Sequence, residues 1–265
     1  MSRTIKIAAL QQDIIPGDPH ENQITTAHNL NRISRDTDLV VIPELFTTGN
    51  ITDRSALSLL AQSNSDNTMD DVHRWADYFG FAIAGSFLAT DDGHNYFNRG
   101  FFVEPGGDEY FYDKRHLFSL STEKDLLTAG NKISPVIRYR GWNIKLFICY
   151  DLRFPVWCKK RDNEFDIMLF PANWPEARIY QFKQLLSARA IENNAIVVGC
   201  NRIGKDEYGD YPADASGIYD LLGRDVSSRD QWGNLYASFD YDEFNSRRTR
   251  FATWRDSDNF SISLD

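Results

Sequence analysis

WNIKLFICYDLRFP, the stretch from Trp142 to Pro155, contains the predicted strand-to-helix transition on which the fold depends. Its first half is an apolar run that favours a buried strand, and this run ends at Cys149. The aromatic and charged corner that follows, Tyr150–Pro155, predicts the start of a helix. A helix N-terminus lowers the pKa of a thiol and can hold a developing oxyanion, so the pattern indicates a reactive cysteine. Taken alone, a cysteine at the end of a buried strand is more often an inert core residue.

The other cysteines support neither a disulfide framework nor a zinc site. The chain has three cysteines, an odd number, and none of them forms a CxxC pair. Cys200 lies in an apolar run and is expected to be a small buried residue, whereas Cys158 is expected to be incidental. Cys149 is therefore the candidate nucleophile, and no metal is expected.

The composition is that of a globular protein without a polyanionic partner. With 265 residues, of which 42% are hydrophobic, the chain can bury a substantial core. A formal charge of −9 argues against a nucleic-acid or anionic-membrane partner, although a few local cations could still bind a small anion. The N-terminal segment lacks a signal-peptide pattern, and no stretch approaches the roughly 18 apolar residues of a membrane span. We expect a soluble protein of the cytoplasm.

The order of strand-like and helix-like segments predicts two related halves. Apolar, β-branched runs lie at 5–11, 38–42, 81–89, 96–103, 109–112, 132–138, 142–148, 165–170, 195–201, 217–220 and 235–239. Helical spacing is found at 19–34, 69–79 and 181–193. IKIAAL at 5–10 is similar to IKLFIC at 144–149, which favours an internal duplication with two β-sheets and outer helices. The three runs between 81 and 112 are separated by tight turns and predict an antiparallel meander.

No linker rich in proline, glycine or serine divides the chain, so we expect a single domain over residues 1–265. The segment from about 240 to 265 is charged at first and then contains several large apolar side chains, namely Phe251, Trp254, Phe260 and Ile262. These are too many for a free tail. We expect the segment to pack on the body of the protein or on a partner subunit.

Two charged residues stand at predicted strand ends, where α/β proteins place their chemistry. Glu44 follows the wholly apolar run at 38–42, and Lys114 follows the last strand of the meander. Taken singly, Glu44 could cap the next segment and Lys114 could be a solvated lysine. Histidine, the usual base for a cysteine, is poorly placed, and only His116 lies in a suitable loop. A Cys149–His116 dyad is therefore an alternative.

Five segments, in this order along the chain, resemble the signatures of the nitrilase (carbon–nitrogen hydrolase) superfamily. They are IPELF at 42–46, DKRHLF at 113–118, ICYDLRFP at 148–155, PANWP at 171–175 and ARAIEN at 188–193. The NWP segment and the compact loop after HLF further resemble the omega-amidase branch, whose members hydrolyse the terminal amide of 2-oxoglutaramate or 2-oxosuccinamate. The resemblance implies a four-layer αββα sandwich of the α/β class, a homodimer and a reaction that needs no cofactor.

The resemblance also implies roles for particular residues. Cys149 would be the nucleophile, Glu44 the general base and then acid, and Lys114 the cation that faces the tetrahedral oxygen. The backbone N–H of Tyr150 would add a second donor to that oxygen. The family has a further glutamate after the lysine motif, and Glu123 is the best match, with a surface glutamate as the alternative.

Other residues are candidates for the substrate pocket. Arg153 could bind a substrate carboxylate, because a guanidinium matches it with two parallel hydrogen bonds, or it could pair with Asp151 or another acid to fix the corner. Asn173 and Trp174 end the strand that corresponds to the one ending at Glu44, so we expect them in the same cleft. Candidate wall residues are Phe46, Phe118 and Tyr150. In the ARAIEN helix, Arg189 and Glu192 are expected to form structural pairs.

The predicted function is hydrolysis of a small carboxylated amide to an acid and ammonia through a thioester of Cys149. Within the superfamily, the alternatives are a nitrilase, an N-carbamoyl hydrolase and an amidase of deaminated glutathione, each using the same three residues with another pocket. A Cys-His acyltransferase or protease would instead depend on His116. Outside enzymes, the alternative is an inactive scaffold that binds a partner through its aromatic tail.

Overall fold

The described strands form two large sheets, with the order expected of two related halves, and one separate two-stranded hairpin. The computed structural model describes residues 3–264. The strands are β1 Thr4–Ala9, β2 Leu39–Val41, β3 Ala82–Thr90, β4 Tyr96–Val103, β5 Glu109–Asp113, β6 Ile137–Tyr139, β7 Trp142–Leu146, β8 Ile167–Ala172, β9 Ile196–Asn201, β10 Gly204–Asp206, β11 Gly209–Tyr211, β12 Gly217–Tyr219, β13 Ser228–Arg229 and β14 Leu235–Asp240. The helices are α1 Pro19–Leu30, α2 Arg54–Leu60, α3 Asn67–Phe79, α4 Glu123–Leu126, α5 Pro155–Cys158, α6 Ile179–Asn193 and α7 Tyr241–Arg250.

Each sheet is built around three parallel strands. The first sheet has the order β13-β14-β1-β2-β3-β4-β5, and β1, β2 and β3 run parallel. The second has the order β12-β9-β8-β7-β6, with β7, β8 and β9 parallel. Strands β3, β4 and β5 pair antiparallel, as the meander required. The similar segments at 5–10 and 144–149 thus lie in corresponding strands, β1 and β7.

Alternation along the strands separates two kinds of core. In β2, Leu39 and Val41 point into the cluster between the sheets, together with Leu146 and Leu169 of the second sheet. Val40 faces the other way, into a cluster with residues of α1 and α3. The outer face of the second sheet packs in the same manner on α6. Because successive side chains of a strand point to opposite faces, each sheet packs on the other sheet with one face and on helices with the other. The fold therefore has four layers, αββα, and the predicted fold class is confirmed.

Several elements differ from the sequence-based expectations. The run at 132–138 is extended strand only from Ile137, since β6 has three residues. The short hairpin of β10 and β11 was not predicted, nor were α2 and α7. Helix α7 is strongly charged and buries only Phe244 and Arg248, which are four residues apart on one face. Because only two side chains of this helix are buried, its sequence has little apolar periodicity, and the helix was not recognised.

The end of the chain returns to the second sheet. Ile262 and Leu264 pack on the apolar cluster that includes α6, whereas Phe251 is exposed. Asn194 donates to the carbonyl of Phe251 at 2.5 Å, which ties the end of α7 to the end of α6. Within residues 3–264, no helix combines the length and the apolar character that crossing a bilayer would require.

Candidate active site

Four polar residues follow strands from both sheets and meet at one cavity. Glu44 comes after β2, Lys114 after β5 and Cys149 after β7, while Asn173 follows β8. The cavity that they line has a volume of about 60 Å³. Residues from both halves of the chain thus converge at the carboxyl ends of their strands, which is where the strand order placed Glu44 and Lys114.

Lys114 is the centre of a buried charge network. Its ammonium donates to Oε1 of Glu44 at 2.8 Å and to both carboxylate oxygens of Glu123, at 2.7 and 2.9 Å. Burial alone would lower the pKa of Lys114, but Glu123 and Glu44 outweigh it and hold this pKa well above its usual value. Lys114 therefore remains a cation at neutral pH. Glu123 is not a detached surface residue, because its Oε2 also accepts the backbone N–H of Phe118 at 2.7 Å.

Asn98 joins the two glutamates and was missed in the sequence. Its side-chain amide donates to Oε1 of Glu44 at 2.8 Å and to Oε1 of Glu123 at 3.2 Å. It lies in β4, where YFNRGFFV is apolar except for Asn98 and Arg99. Arg99 has an evident structural role, with ion pairs to Asp91 and Asp113. The available signal in the sequence was an amide within an otherwise apolar strand. The structure buries Asn98 fully, and a buried polar group needs partners.

Cys149 is a buried thiol in a strained backbone position. Its φ is 40°, in the left-handed region that residues other than glycine seldom adopt, and its exposed fraction is 8%. Burial, and then the charge of Glu44, raise the pKa of this thiol well above its usual value; Lys114 and the backbone N–H of Asn173 act in the opposite direction but are weaker. The expected lowering of the thiol pKa by a helix N-terminus is therefore wrong. The helix is only a five-residue 3₁₀ turn, Cys149–Arg153.

The turn after Cys149 is held by Asp151. This carboxylate accepts the hydroxyl of Tyr112 at 2.8 Å and the backbone N–H groups of Ile148 and His116 at 3.1 and 3.0 Å. The His116 ring also bonds it through Nδ1 at 2.7 Å and stacks on Phe154 with ring centroids 3.6 Å apart. His116 thus braces the corner through Asp151. The carboxylate whose charge acts on the thiol is that of Glu44, which favours Glu44 over His116 as the base.

Arg153 makes no salt bridge with Asp151 or with any other acid among residues 3–264, so the predicted ion pair is wrong. The oxygens of Asp151 are already taken by the partners described above. Arg153 instead donates to Oε1 of Gln181 at 2.6 Å, and its guanidinium lies 4.6 Å from the ring centroid of Trp174. By contrast, Arg189 and Glu192 pair at 2.9 Å as expected, and Arg189 also donates to the carbonyl of Leu152 in the nucleophile turn.

The other predicted pocket residues line the cavity, except one. Phe118 and Tyr150 pack edge to face, with ring centroids 5.0 Å apart, and Trp174 forms another part of the wall. Phe46 does not reach it, because its ring packs on Trp75 and Phe101 in the outer core of the first sheet. Among the wall residues that the sequence did not reveal are Arg178, Tyr208 and Tyr211.

Asn173 holds Glu44 with its backbone and leaves its side chain unused. The backbone N–H donates to Oε2 of Glu44 at 2.8 Å, while Nδ2 and Oδ1 of the side chain, although buried, have no hydrogen-bond partner among the described residues. Neighbouring Trp174 is fixed by Asn201, whose Oδ1 accepts its backbone N–H at 2.6 Å. Within residues 3–264 no group of three or more histidine, cysteine, aspartate or glutamate side chains could hold a metal ion.

The sequence matches known proteins over most of its length. The family described as Carbon-nitrogen hydrolase matches residues 6–249. Omega-amidase YafV of Escherichia coli (strain K12) is 37% identical over 265 residues, covering 97% of this chain and 98% of that protein. A 2-oxoglutaramate amidase of Bacillus subtilis (strain 168) is 32% identical over 220 residues, covering 82% and 83%.

A solved structure shows the same fold throughout. It belongs to a CN-hydrolase superfamily protein of Xanthomonas campestris with an arsenic adduct in its active site. The TM-score is 0.91 at 34% identity, with 98% of this chain and 99% of the other covered. The family match spans both sheets, and the cavity lies where their strand ends meet. The chain belongs to the carbon–nitrogen hydrolase family.

Proposed function

We propose that this amidohydrolase cleaves the terminal amide of a small carboxylated substrate, such as 2-oxoglutaramate or 2-oxosuccinamate, and releases ammonia. The substrate class is the one named for the Bacillus subtilis relative, and omega-amidase is the name of the Escherichia coli relative. The observation that carries the proposal is the buried contact of Glu44 with both Lys114 and Cys149.

The first half of the reaction forms a thioester. Glu44 takes the proton of the Cys149 thiol as the sulfur attacks the amide carbon. The carbonyl oxygen becomes negative, and the ammonium of Lys114 stabilises it in a site from which water is largely excluded. Protonated Glu44 then gives its proton to the amide nitrogen, the C–N bond breaks, and ammonia leaves.

The second half hydrolyses the thioester with the same groups. Glu44 takes a proton from water as the water oxygen attacks the thioester carbon, and Lys114 again stabilises the oxyanion. Collapse of this intermediate breaks the C–S bond, and the sulfur recovers its proton from Glu44. One carboxylate therefore serves as base and acid in both halves, which agrees with the several donors that hold Glu44 in one position.

Glu123 has a supporting role in this scheme. Its two hydrogen bonds to Lys114 keep the ammonium charged and fixed after the Glu44 carboxylate has been protonated. Without Glu123, the ammonium of Lys114 would have no carboxylate partner among residues 3–264 while Glu44 is protonated. We expect Glu123→Gln to lower kcat more than it raises KM for the amide.

The first experiment compares ammonia release from four substrates: 2-oxoglutaramate, an aliphatic nitrile, an N-carbamoyl amino acid and glutamine. We expect turnover of 2-oxoglutaramate to exceed that of the other three by at least about tenfold. Activity confined to the nitrile or to the carbamoyl compound would replace the omega-amidase proposal with another activity of the family. A protein inactive on every member of this set and on deaminated glutathione would favour the scaffold alternative.

The variants Cys149→Ser, Glu44→Gln and His116→Ala separate the two mechanisms. We expect the first two to abolish turnover while the proteins stay folded by circular dichroism. His116→Ala should retain measurable activity at reduced thermal stability, because His116 supports the turn through Asp151. A fully active Glu44→Gln protein together with an inactive His116→Ala protein would assign the base to His116.

A further inference from the structure

Two arginines of the cavity wall differ from the buried arginines elsewhere in the protein. The latter are matched with carboxylates: Arg99 with Asp91 and Asp113, Arg189 with Glu192, Arg202 with Asp13 and Asp206, and Arg248 with Asp166. Arg153 and Arg178, both half-buried, line the cavity and make no salt bridge to any residue between 3 and 264. A half-buried guanidinium without an acid favours an anionic ligand.

Aromatic rings hold both guanidinium groups at the cavity. Arg153 lies 4.6 Å from the ring centroid of Trp174, and Arg178 lies 5.2 Å from that of Phe118. The indole N–H of Trp174 donates to the backbone carbonyl of Arg178 at 2.9 Å, so a single tryptophan positions both arginines. A guanidinium that packs against a ring by its face keeps N–H groups free at its edge for a carboxylate.

Charges of both signs line the cavity. The carboxylates of Glu44 and Glu123 share the single ammonium of Lys114, so this group of three has an excess of negative charge. The two arginines add positive charge to the same wall. A substrate with one amide and one carboxylate would therefore enter with its carboxylate away from the glutamates, which places the amide at Cys149.

Asn173 supplies a second, independent observation. Its exposed fraction is 7%, and neither of its side-chain polar atoms has a partner among the described residues, although it lines the cavity. A buried amide left unpaired costs free energy that a ligand can recover. Its Nδ2 could donate to a carbonyl oxygen beside the substrate carboxylate. That carbonyl oxygen is present in 2-oxo acids and absent from simple monoamides of dicarboxylic acids.

We propose that Arg178 and Arg153 together bind the free carboxylate of the substrate, and that the side chain of Asn173 binds the adjacent 2-oxo group. The inference rests on the proposed function and assigns its specificity to three residues. Arg178, which was not apparent from the sequence, becomes a determinant of substrate choice. The chemical class is a short monoamide of a dicarboxylic acid with an oxygen at C2.

The kinetic test uses three amides: 2-oxoglutaramate, glutaric acid monoamide and neutral butyramide. Arg178→Gln and Arg153→Gln should each raise KM for the two carboxylated amides about 10- to 100-fold, the size expected for a lost charge-assisted hydrogen bond, with kcat changed less than about threefold. Butyramide kinetics should not change. Asn173→Ala should raise KM for 2-oxoglutaramate only. Arg224→Gln, at an exposed arginine outside the cavity wall, is the matched control.

A binding measurement tests the inference without turnover. Calorimetry with 2-oxoglutarate, the product acid, on the Cys149→Ser protein should show binding that Arg178→Gln weakens at least about tenfold and Arg224→Gln leaves unchanged. If 2-oxoglutarate binds in this way but no amide is hydrolysed, the proposed function fails and the carboxylate site stands. If the amides are hydrolysed and the arginine variants keep their KM values, or lose activity equally on butyramide, the carboxylate site is overturned.

Discussion

The carboxylate of Glu44 affects the neighbouring sulfur in two opposite ways. As a base it accepts the thiol proton, yet as a fixed negative charge it raises the pKa of Cys149 and disfavours the thiolate. The resting sulfur is therefore a protonated thiol. Charge separates only when an amide carbonyl is present to receive the electrons of the sulfur, close to the cation of Lys114.

Replacing Glu44 by glutamine should separate reactivity from acidity. We expect Glu44→Gln to lower the pKa of Cys149 relative to the wild type, since a neutral amide replaces a negative charge, while turnover falls by about 10²–10⁴-fold with the loss of the general base. Ultraviolet thiolate absorbance during a pH titration reports the first quantity and ammonia release the second. The Cys149→Ser protein gives the background from Cys158 and Cys200, whose pKa values burial raises.

Asn98 should influence the rate of the reaction by holding both glutamates in place. Its side-chain amide donates to Glu44 and to Glu123. We expect Asn98→Leu, which removes this donor, to lower kcat/KM about 10- to 100-fold, the effect of losing a hydrogen bond to a carboxylate. Ammonia release measures the loss. An unchanged kcat/KM together with a lower melting temperature would mean that Asn98 only supports the fold.

At the scale of single residues, the sequence predicted some of the side chains that line the cavity. Glu44, Lys114 and Cys149 follow apolar strands in recognisable segments, so their convergence could be expected. Asn98 and Arg178 could not be found in this way, because each acts through contacts with residues distant in sequence. Arg178 contacts Phe118, and Asn98 contacts Glu44, 54 positions away.

Among the elements, β5 and the turn Cys149–Arg153 are coupled by one hydroxyl. Tyr112 of β5 donates to Asp151 and accepts the indole N–H of Trp157 at 2.9 Å. Two positions later comes Lys114. The strand therefore carries both the cation and the residue that fixes the turn of the nucleophile, which sets the position of Lys114 relative to Cys149.

Removing the hydroxyl of Tyr112 should weaken the link between β5 and the turn Cys149–Arg153. Tyr112→Phe leaves the indole N–H of Trp157 without its acceptor and removes one of the two donors to Oδ2 of Asp151, which keeps the backbone N–H of Ile148. We expect a loss of about 1–3 kcal/mol in the free energy of unfolding. We also expect kcat to fall while KM for the amide changes little. Tyr110→Phe on the same strand is the matched control, because its hydroxyl has no hydrogen bond to a described residue. Equal effects of the two substitutions would rule out the coupling.

Sequence patterns predicted long elements better than short ones. The strand at Tyr96–Val103 was predicted with its observed bounds because eight residues with tight turns on both sides give a clear signal. The turn at Cys149 was expected to be a longer helix, yet the backbone of Cys149 is left-handed and Pro155 begins another helix. Three-residue strands such as β10 and β11 are too short for a period of two to be recognised.

On the scale of the whole molecule, the two sheets bury one face of each strand against the other half of the chain. The active site lies where both halves contribute, so neither half contains the four site residues alone. We propose that the chain forms a single domain and assembles as a homodimer, as the resemblance to the superfamily implies. Light scattering of the purified protein at several concentrations measures the mass of this assembly.

A buried lysine far from the described chemistry should make global stability depend on pH. Burial lowers the pKa of Lys160 to about 7, Arg248 and Lys159 act in the same direction, and Asp166 and Glu164 oppose them. In the unfolded chain this lysine regains a pKa of about 10.4. Between these values the unfolded state binds more protons, so the contribution of Lys160 to stability rises with pH.

Replacing this lysine should therefore stabilise the protein most at low pH. We expect Lys160→Met to raise the free energy of unfolding by roughly a few kcal/mol at about pH 6, and the gain should shrink as the pH approaches about 10. Denaturant unfolding across this range measures the difference. Lys205→Met, at a lysine whose side chain is 76% exposed, is the control. A difference independent of pH would contradict the linkage.

The buried, protonated state of Cys149 also has a consequence for survival of the enzyme under oxidative stress. Peroxides attack thiolates, and sulfenic acid formation follows thiolate character and exposure. Cys149 has little of either, because burial and the charge of Glu44 keep its proton in place. The enzyme should therefore keep its activity at peroxide concentrations that inactivate enzymes with a resting thiolate, while a neutral electrophile that fits the amide position should still modify the sulfur.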